Sequence, residues 1–411
     1  MNDSPTPRLR FVVYWRQADW GFYHRRNEAF ARALAKLSDV AEVVHVEAVS
    51  VRGLVANLVR AAFTRDRGLR RAYRLHVRKA LSPRPVRVDD GLAVKSLVLA
   101  TLGADQRLEA VNHWLMRRQV RSLRGPAPTV LLAYPPAPRL AELARNLRAE
   151  LVLADLVDDV PALETDPDRR AARVQEYVEI LPDCGAVFAT SPRLAEAYGE
   201  YAPSGIEFLP NGVGVDDSPP PAAKDKERPR VGYIGALNRT LDTELVDRVL
   251  GDHPEVDFVF IGPLETSAAA FVRNARARHP NCHYLGPKRH GELRRHMAAC
   301  DVLINVKRAD VTTRGNDSIK IYEYLATGRP VVSTSMAPAD RLRELLHVSD
   351  EPEGFSRMLG QALAEDDPQL AQQRRRVALD NAWERRVERI VTRVDELLED
   401  AGPQPRMAGA R

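Results

Sequence analysis

The sequence predicts an α/β protein made of two doubly wound domains, each with a parallel sheet. Short apolar segments of strand-like composition alternate with helical segments, an order typical of parallel sheets. A polar, proline-rich stretch at residues 216–229 interrupts this alternation, and the alternation restarts at residue 230. Since 411 residues suffice for two or three domains, we expect one domain on each side of a linker at 216–229.

The first domain is expected to span residues 1–215. It opens with a strand at residues 9–14 and an aromatic, Arg-rich loop, and apolar residues at helical spacing then predict a helix at 25–37. Further strands are expected at residues 40–49, 129–133, 151–154, 186–189 and 206–209, with helical segments between most of them.

The second domain is expected to span residues 230–378. Its predicted strands are 230–235, 256–261, 282–285, 302–305 and 331–333. Residues 379–400 have helical apolar spacing and need a surface to bury against, so this last helix could pack back across the domains, whereas 401–411 is expected to be a disordered tail. Parallel sheets bind ligands beyond the carboxyl ends of their strands, so two such domains predict a bisubstrate cleft.

The positive charge of the chain is concentrated in one segment. The formal net charge is +5, but residues 52–87 hold eleven Lys or Arg and one acid, Asp66, so the rest of the chain is slightly acidic. An apolar stripe from Val51 to Phe63 accompanies these cations, a pattern typical of an amphipathic helix on anionic lipid. A solvated Arg-rich helix packed on the domain, or a nucleic-acid patch, stays open; no aromatic-interleaved RNA-binding motif supports the last, and we expect no nucleic-acid partner.

Cysteine content and hydropathy exclude several classes of protein. Three cysteines without a Cys-x-x-Cys pair argue against a disulfide scaffold or structural zinc. No apolar run approaches the roughly 18 residues of a membrane span, so we expect a cytoplasmic protein, with the inner face of the membrane as a peripheral site. The only Asp-x-Asp is Asp166-Pro167-Asp168 in a polar loop, and no obligatory metal is expected.

The segment from Ser318 to Val332 is the most specific in the sequence. It reads as a loop entering a helix that ends at Gly328, followed by a buried strand. Near a helix start, backbone N–H groups and the charge of Lys320 favour a phosphate, and Glu323, one turn later, can accept hydrogen bonds from hydroxyl groups. Taken alone, the lysine and glutamate also fit a solvated helix start.

Several segments together resemble glycosyltransferases of the GT-B fold, in particular the group-1 or GT4-like enzymes of bacterial teichuronic-acid and exopolysaccharide biosynthesis. The resemblance covers about residues 150–335. Its segments are LVLADLVDDV (151–160), AVFATSPR (186–193), LPNGV (209–213), RVGYIGALNRTLDTEL (230–245), FVFIGP (258–263), NCHYLGPK (281–288), CDVLIN (300–305) and KIYEYLATGRPVV (320–332). It implies two Rossmann-like domains facing a cleft.

The resemblance further implies that the C-terminal domain binds a UDP or GDP sugar. Lys320 would then contact the diphosphate and Glu323 the ribose, with Ser318 at the start of the same helix. Gly235 would let backbone approach the phosphates, although it could also serve only a tight turn. Arg239 would add a cation, unless it is a solvated helix-start residue, and the loop from Leu285 to Lys288 would line the base. The G-x-G-x-x-G spacing of a dinucleotide site is absent.

Transfer to a glycan, lipid-linked or other acceptor requires a base for the acceptor hydroxyl. Asp155, Asp158 and Asp159 follow a buried strand, at the ligand edge of the expected sheet. Asp158 or Asp159 is the candidate base, and the alternative is that one of them caps the following turn. His24, after the first strand, is a further candidate, although a lone histidine there can equally be structural.

One departure from the family bears on stereochemistry. Many retaining members carry two glutamates separated by seven residues, but the position that precedes Glu323 at this spacing is Gly315. An inverting displacement with an aspartate base therefore fits slightly better. A non-catalytic sugar-nucleotide-binding scaffold and a nucleotide-sugar epimerase are the alternatives.

Overall fold

A computed structural model describes residues 9–21, 25–102, 106–136, 139–164, 166–214, 227–308 and 315–400. These residues form two compact units. One comprises the chain up to Leu209 together with the chain from Glu384 onward, and the other comprises Pro210–Trp383. Most of the expected linker lies outside the described residues.

The boundary falls at residue 209 rather than 215 because the segment after Leu209 is held by the second unit. Val213 forms a parallel bridge with Ala382, and the backbone N–H of Asn211 donates to the carboxylate of Asp317. From Glu384, the last helix belongs to the first unit and buries Val387, Ile390 and Val394.

The sheet of the first unit has the strand order β3-β4-β2-β1-β5-β6-β7-β8. Every neighbouring pair is parallel except β3 and β4, which are antiparallel. The strands are β1 (Leu9–Trp15), β2 (Val40–Ser50), β3 (Val86–Asp89), β4 (Leu92–Leu99), β5 (Thr129–Ala133), β6 (Leu151–Leu156), β7 (Ala186–Ala189) and β8 (Ile206–Phe208). The helices are α1 (Arg26–Leu34), α2 (Val51–Phe63), α3 (Arg67–Leu81), α4 (Glu109–Val120), α5 (Leu140–Leu147), α6 (Pro167–Val178) and α7 (Pro192–Tyr198).

The sheet of the second unit has the order β11-β10-β9-β12-β13-β14, and all its neighbours are parallel. The strands are β9 (Arg230–Ile234), β10 (Asp257–Ile261), β11 (Cys282–Tyr284), β12 (Val302–Asn305), β13 (Val331–Ser333) and β14 (His347–Val348). The helices are α8 (Thr243–Asp252), α9 (Thr266–Arg278), α10 (His290–Ala298), α11 (Ile319–Thr327), α12 (Ala337–Arg341), α13 (Pro352–Leu363) and α14 (Pro368–Asp380). The last helix, α15, is Trp383–Asp400.

The prediction of two parallel-sheet α/β domains is confirmed. In both sheets the central strands are buried, as their apolar composition requires. Strands β3 and β4 were not predicted; β3 begins within the basic segment 52–87, and β4 lies between that segment and α4.

The basic segment is a pair of helices followed by a strand, not a single amphipathic helix. The apolar stripe lies on α2, most of the cations lie on α3, and Arg87 lies in β3. Among the described residues, no helix combines the length and the apolar character that crossing a membrane requires.

Candidate functional site

Two glycine turns in the second unit lie against each other at the carboxyl ends of β9 and β10. Gly235 follows β9 with φ +150°, and its N–H donates to the carbonyl of Ile261 at 2.7 Å. Gly262 follows β10 with φ +147°, and a Cβ there would lie 2.1 Å from the carbonyl oxygen of Gly235. Both the positive φ and this close approach require glycine.

The side chain of Lys320, in the first turn of α11, reaches these turns. Its Nζ donates to the hydroxyl of Tyr233 at 3.1 Å and lies 4.4 Å from the centre of the tyrosine ring. Burial lowers the pKa of Lys320 to about 8, and the nearby carboxylate of Glu323 opposes that shift. Lysine and glutamate are therefore neighbours on one helical turn at the ligand edge of the sheet.

A second lysine, Lys307, lies close to the first. It follows β12, and its Nζ donates to Oγ1 of Thr240 at 2.6 Å. Burial lowers the pKa of Lys307, and the charge of Lys320 lowers it further. The two partly buried cations repel each other, and a bound anion would reduce this repulsion.

Sequence reasoning missed Lys307. The available signal was its position two residues beyond a buried strand, where a parallel sheet exposes its ligand edge. No motif of the kind that marks Lys320 surrounds it.

The start of α11 is fixed by a buried carboxylate. Ser318 is the N-cap residue, and Asp317 before it is buried. The hydroxyl of Tyr322 donates to Asp317 at 3.0 Å, and Arg341 donates to both Asp317 and Tyr322. Asp317 is therefore a positioning residue for the first turn of α11, which carries Lys320.

The remaining predicted donor-site residues lie on loops. Arg239 is exposed between β9 and α8, and Lys288 is exposed between β11 and α10. Leu285, at the start of the second loop, exposes 42% of its surface although it is apolar. The structure thus brings Gly235, Lys320 and Glu323 together and leaves the roles of Arg239, Lys288 and Ser318 as predictions.

In the first unit, Asp155 forms a buried ion pair with Arg26. Its carboxylate is fully buried and accepts from Nε of Arg26 at 2.7 Å and from a second guanidinium nitrogen at 3.1 Å. Arg26 also donates to the carbonyl of Leu209. Burial raises the pKa of Asp155, and Arg26 opposes the shift. The ion pair therefore joins α1 to β6, and Arg26 also contacts Leu209, where the first segment of this unit ends.

Asp158 and Asp159 differ in their surroundings. Asp159 accepts hydrogen bonds from the hydroxyl of Tyr198 at 2.7 Å and from the N–H of Ala162 at 3.2 Å, so it caps the turn after β6. Burial raises the pKa of Asp158, and the charge of Arg25 opposes that shift. A carboxyl group with a raised pKa is better suited to accept a proton. Both remain candidate bases, and His24 lies outside the described residues.

Part of the sequence matches a family model. Residues 228–365 match the model described as glycosyl transferases group 1. Over 114 residues the chain is 25% identical to the "Putative teichuronic acid biosynthesis glycosyltransferase TuaH" of Bacillus subtilis (strain 168). That match covers 28% of this chain and 28% of the relative.

Solved structures show the fold over nearly the whole chain. HepE of Anabaena, in complex with UDP and glucose, is similar with a TM-score of 0.62 at 13% identity, covering 97% of this chain and 100% of that one. The α,α-trehalose 6-phosphate synthase of Burkholderia multivorans gives a TM-score of 0.63 at 14% identity, covering 97% and 100%. The Escherichia coli structure bound with UDP-2-fluoro glucose gives a TM-score of 0.61 at 11% identity, and the match covers 93% of this chain and 98% of that one. The chain therefore has the GT-B fold of these structures, and its residues 228–365 match the group 1 glycosyl transferase model.

Proposed function

We propose that this protein transfers a sugar from a UDP or GDP sugar to a hydroxyl group of a glycan, lipid-linked or other acceptor. The observation that carries the proposal is the pair of lysines, Lys307 and Lys320, beside the glycine turn at Gly235. Two solved structures of similar fold contain UDP and a UDP sugar analogue, which supports a nucleotide-sugar donor.

In this proposal the donor diphosphate lies against the two lysines. Their charges stabilise the negative charge that develops on the leaving nucleotide diphosphate. Glu323 accepts hydrogen bonds from the ribose, the loop from Leu285 to Lys288 lines the base, and Arg239 and the N-terminus at Ser318 add further attraction. We assign no metal to the step, and turnover should be unchanged by EDTA.

The acceptor side requires a base. The acceptor oxygen attacks the anomeric carbon and gives its proton to Asp158, while the bond from that carbon to the diphosphate oxygen breaks with its electron pair and the nucleotide leaves. This displacement inverts the anomeric centre. Asp159 and His24 are the second candidates for the base.

The donor site is tested with UDP and GDP in titration calorimetry on the full chain. We expect Lys320→Ala to weaken binding of the preferred nucleotide at least tenfold. Arg273→Ala removes an exposed cation from α9 of the same unit and should leave affinity unchanged. Equal affinity in Lys320→Ala and the parent would contradict the donor site.

We also propose that α2 attaches the protein to the inner face of the cell membrane. Five apolar side chains of α2 are exposed, and Phe63 exposes 80% of its surface. They are Val51, Val55, Leu58, Val59 and Phe63. The cations of α3 next to them favour anionic lipid.

Flotation with anionic liposomes tests the attachment. Leu58→Glu/Phe63→Glu should abolish flotation, whereas Trp114→Glu, which removes an exposed aromatic residue of α4, should not. A parent chain that fails to float, or a double variant that floats like it, would contradict the attachment.

A further inference from the structure

A groove in the first unit is lined by arginines that the proposed donor chemistry does not use. It is a cavity of about 590 Å³ between α3, β3 and the loop after β1. Its cations are Arg32, Arg71, Arg74, Arg78 and Arg87. Apolar side chains, among them Leu75 and Val86, also line it.

Three of the five arginines of α3 line the groove and lie on one face of that helix. Arg71, Arg74 and Arg78 follow helical spacing and are exposed, and Arg87 faces the same cavity from β3. Arg32 pairs with Glu28 at 2.9 Å, but within the described part of the chain no carboxylate forms an ion pair with Arg71, Arg74 or Arg78. Their charges therefore remain available to a ligand.

Buried contacts hold this arginine face in place. Near the C-terminal end of α3, Lys79 is fully buried and its Nζ lies 2.5 Å from the carboxylate of Glu47. The Nζ of Lys95 donates to the carbonyls of Lys79 and Ser82 at the end of the helix. Asp66 caps its start. The guanidinium groups are thus presented by an anchored helix, which lowers the entropic cost of binding an anion.

The groove is connected to the candidate base through the loop after β1. The backbone N–H of Trp20, in the groove lining, donates to Glu47 at 2.7 Å. The preceding Asp19 pairs with Arg25 at 2.9 Å, and the charge of Arg25 acts on Asp158. Two neighbouring residues of this loop, Asp19 and Trp20, therefore link the groove lining to the charge that acts on Asp158.

We propose that this groove binds negatively charged groups of the acceptor, either the phosphates of a lipid-linked saccharide or the carboxylates of an acidic glycan. Guanidinium groups bind both anions in a bidentate way, and the apolar lining residues suit a sugar ring or a prenyl chain. Trp20, the one aromatic residue among the described lining residues, is buried, so the groove offers no exposed ring on which nucleic-acid bases could stack. The inference rests on the proposed transferase function and specifies its acceptor.

The test uses the full chain and three probes in titration calorimetry: farnesyl diphosphate, a hyaluronan tetrasaccharide and a ten-residue oligothymidylate. We expect the parent to bind the diphosphate or the tetrasaccharide, which identifies the source of the anion, and R71Q/R74Q/R78Q to weaken that binding at least tenfold. R117Q/R121Q/R145Q changes the net charge equally at exposed positions elsewhere in the unit and should bind like the parent.

UDP binding separates this proposal from the donor site. R71Q/R74Q/R78Q should keep the parent affinity for UDP or GDP, whichever the parent prefers, and absence of nucleotide binding in every variant would count against the transferase function rather than the groove. The groove proposal is overturned if neither anionic probe binds, if the triple variant binds them like the parent, or if the oligothymidylate binds more tightly than both.

Discussion

The Nζ of Lys320 occupies the space that a side chain at Gly235 would need. A Cβ on Gly235 would lie 2.1 Å from both Nζ and Cε of the lysine, and φ at Gly235 is +150°. We expect Gly235→Ala to displace the lysine and to weaken nucleotide binding at least tenfold in calorimetry.

Gly360→Ala is the matched control for that substitution. Gly360 lies in α13 with open space around its Cβ position, so the change should leave affinity unaltered and raise the free energy of unfolding by about 0.4–1 kcal/mol. Parent affinity in Gly235→Ala would show that the turn and the lysine are not coupled.

Nucleotide affinity should depend on pH through Lys320. Its pKa near 8 means that it is charged below pH 8 and loses its proton as the pH rises. Because the diphosphate needs the charged form, we expect affinity to be nearly constant from pH 6.5 to 7.5 and to fall roughly tenfold by pH 9. Lys320→Arg keeps its charge and should flatten the profile; an equally steep profile in that variant would assign the dependence to another group.

Lys307 is expected to share the diphosphate. Lys307→Ala should weaken nucleotide binding about tenfold, because one of two cations is lost. Lys307→Arg should restore part of it, since the charge returns on a longer side chain. Calorimetry with Arg273→Ala as the control checks this, and unchanged binding in Lys307→Ala would leave Lys320 as the only cation required.

Substitution of the two aspartates after β6 should have different effects, one on sugar transfer and the other on stability. Asp158→Asn should reduce sugar transfer at least a hundredfold with little change in melting temperature, because a neutral amide cannot accept the proton. Asp159→Ala should lower the free energy of unfolding by about 1 kcal/mol, because it removes a cap and the partner of Tyr198. Product analysis and thermal unfolding measure the two effects, and full turnover in Asp158→Asn would reject it as the base.

The ion pair between Arg26 and Asp155 should matter for stability. Asp155→Ala leaves the arginine buried without its carboxylate and should cost about 3–5 kcal/mol in denaturant unfolding. Lys36→Ala breaks the exposed pair with Glu384 and should cost about 1 kcal/mol or less. Similar losses in both variants would mean that water reaches the buried pair.

Local sequence patterns sufficed to predict the two parallel sheets and a linker at 216–229, whereas the boundary after Leu209 follows only from the packing of the second unit. The sequence by itself also indicated Lys320 and Glu323, because both lie on one helical turn and their spacing is a local property.

The sequence could not show that Lys307 lies beside Lys320, because these residues come from different elements that only the packing of β12 and α11 brings together. Nor could it distinguish Asp158 from Asp159, whose surroundings differ because Tyr198 donates to Asp159 and the charge of Arg25 acts on Asp158. The basic segment was misread as one helix for the same reason: only tertiary structure shows that α3 is anchored by Glu47 and Lys95, with its arginines facing a groove.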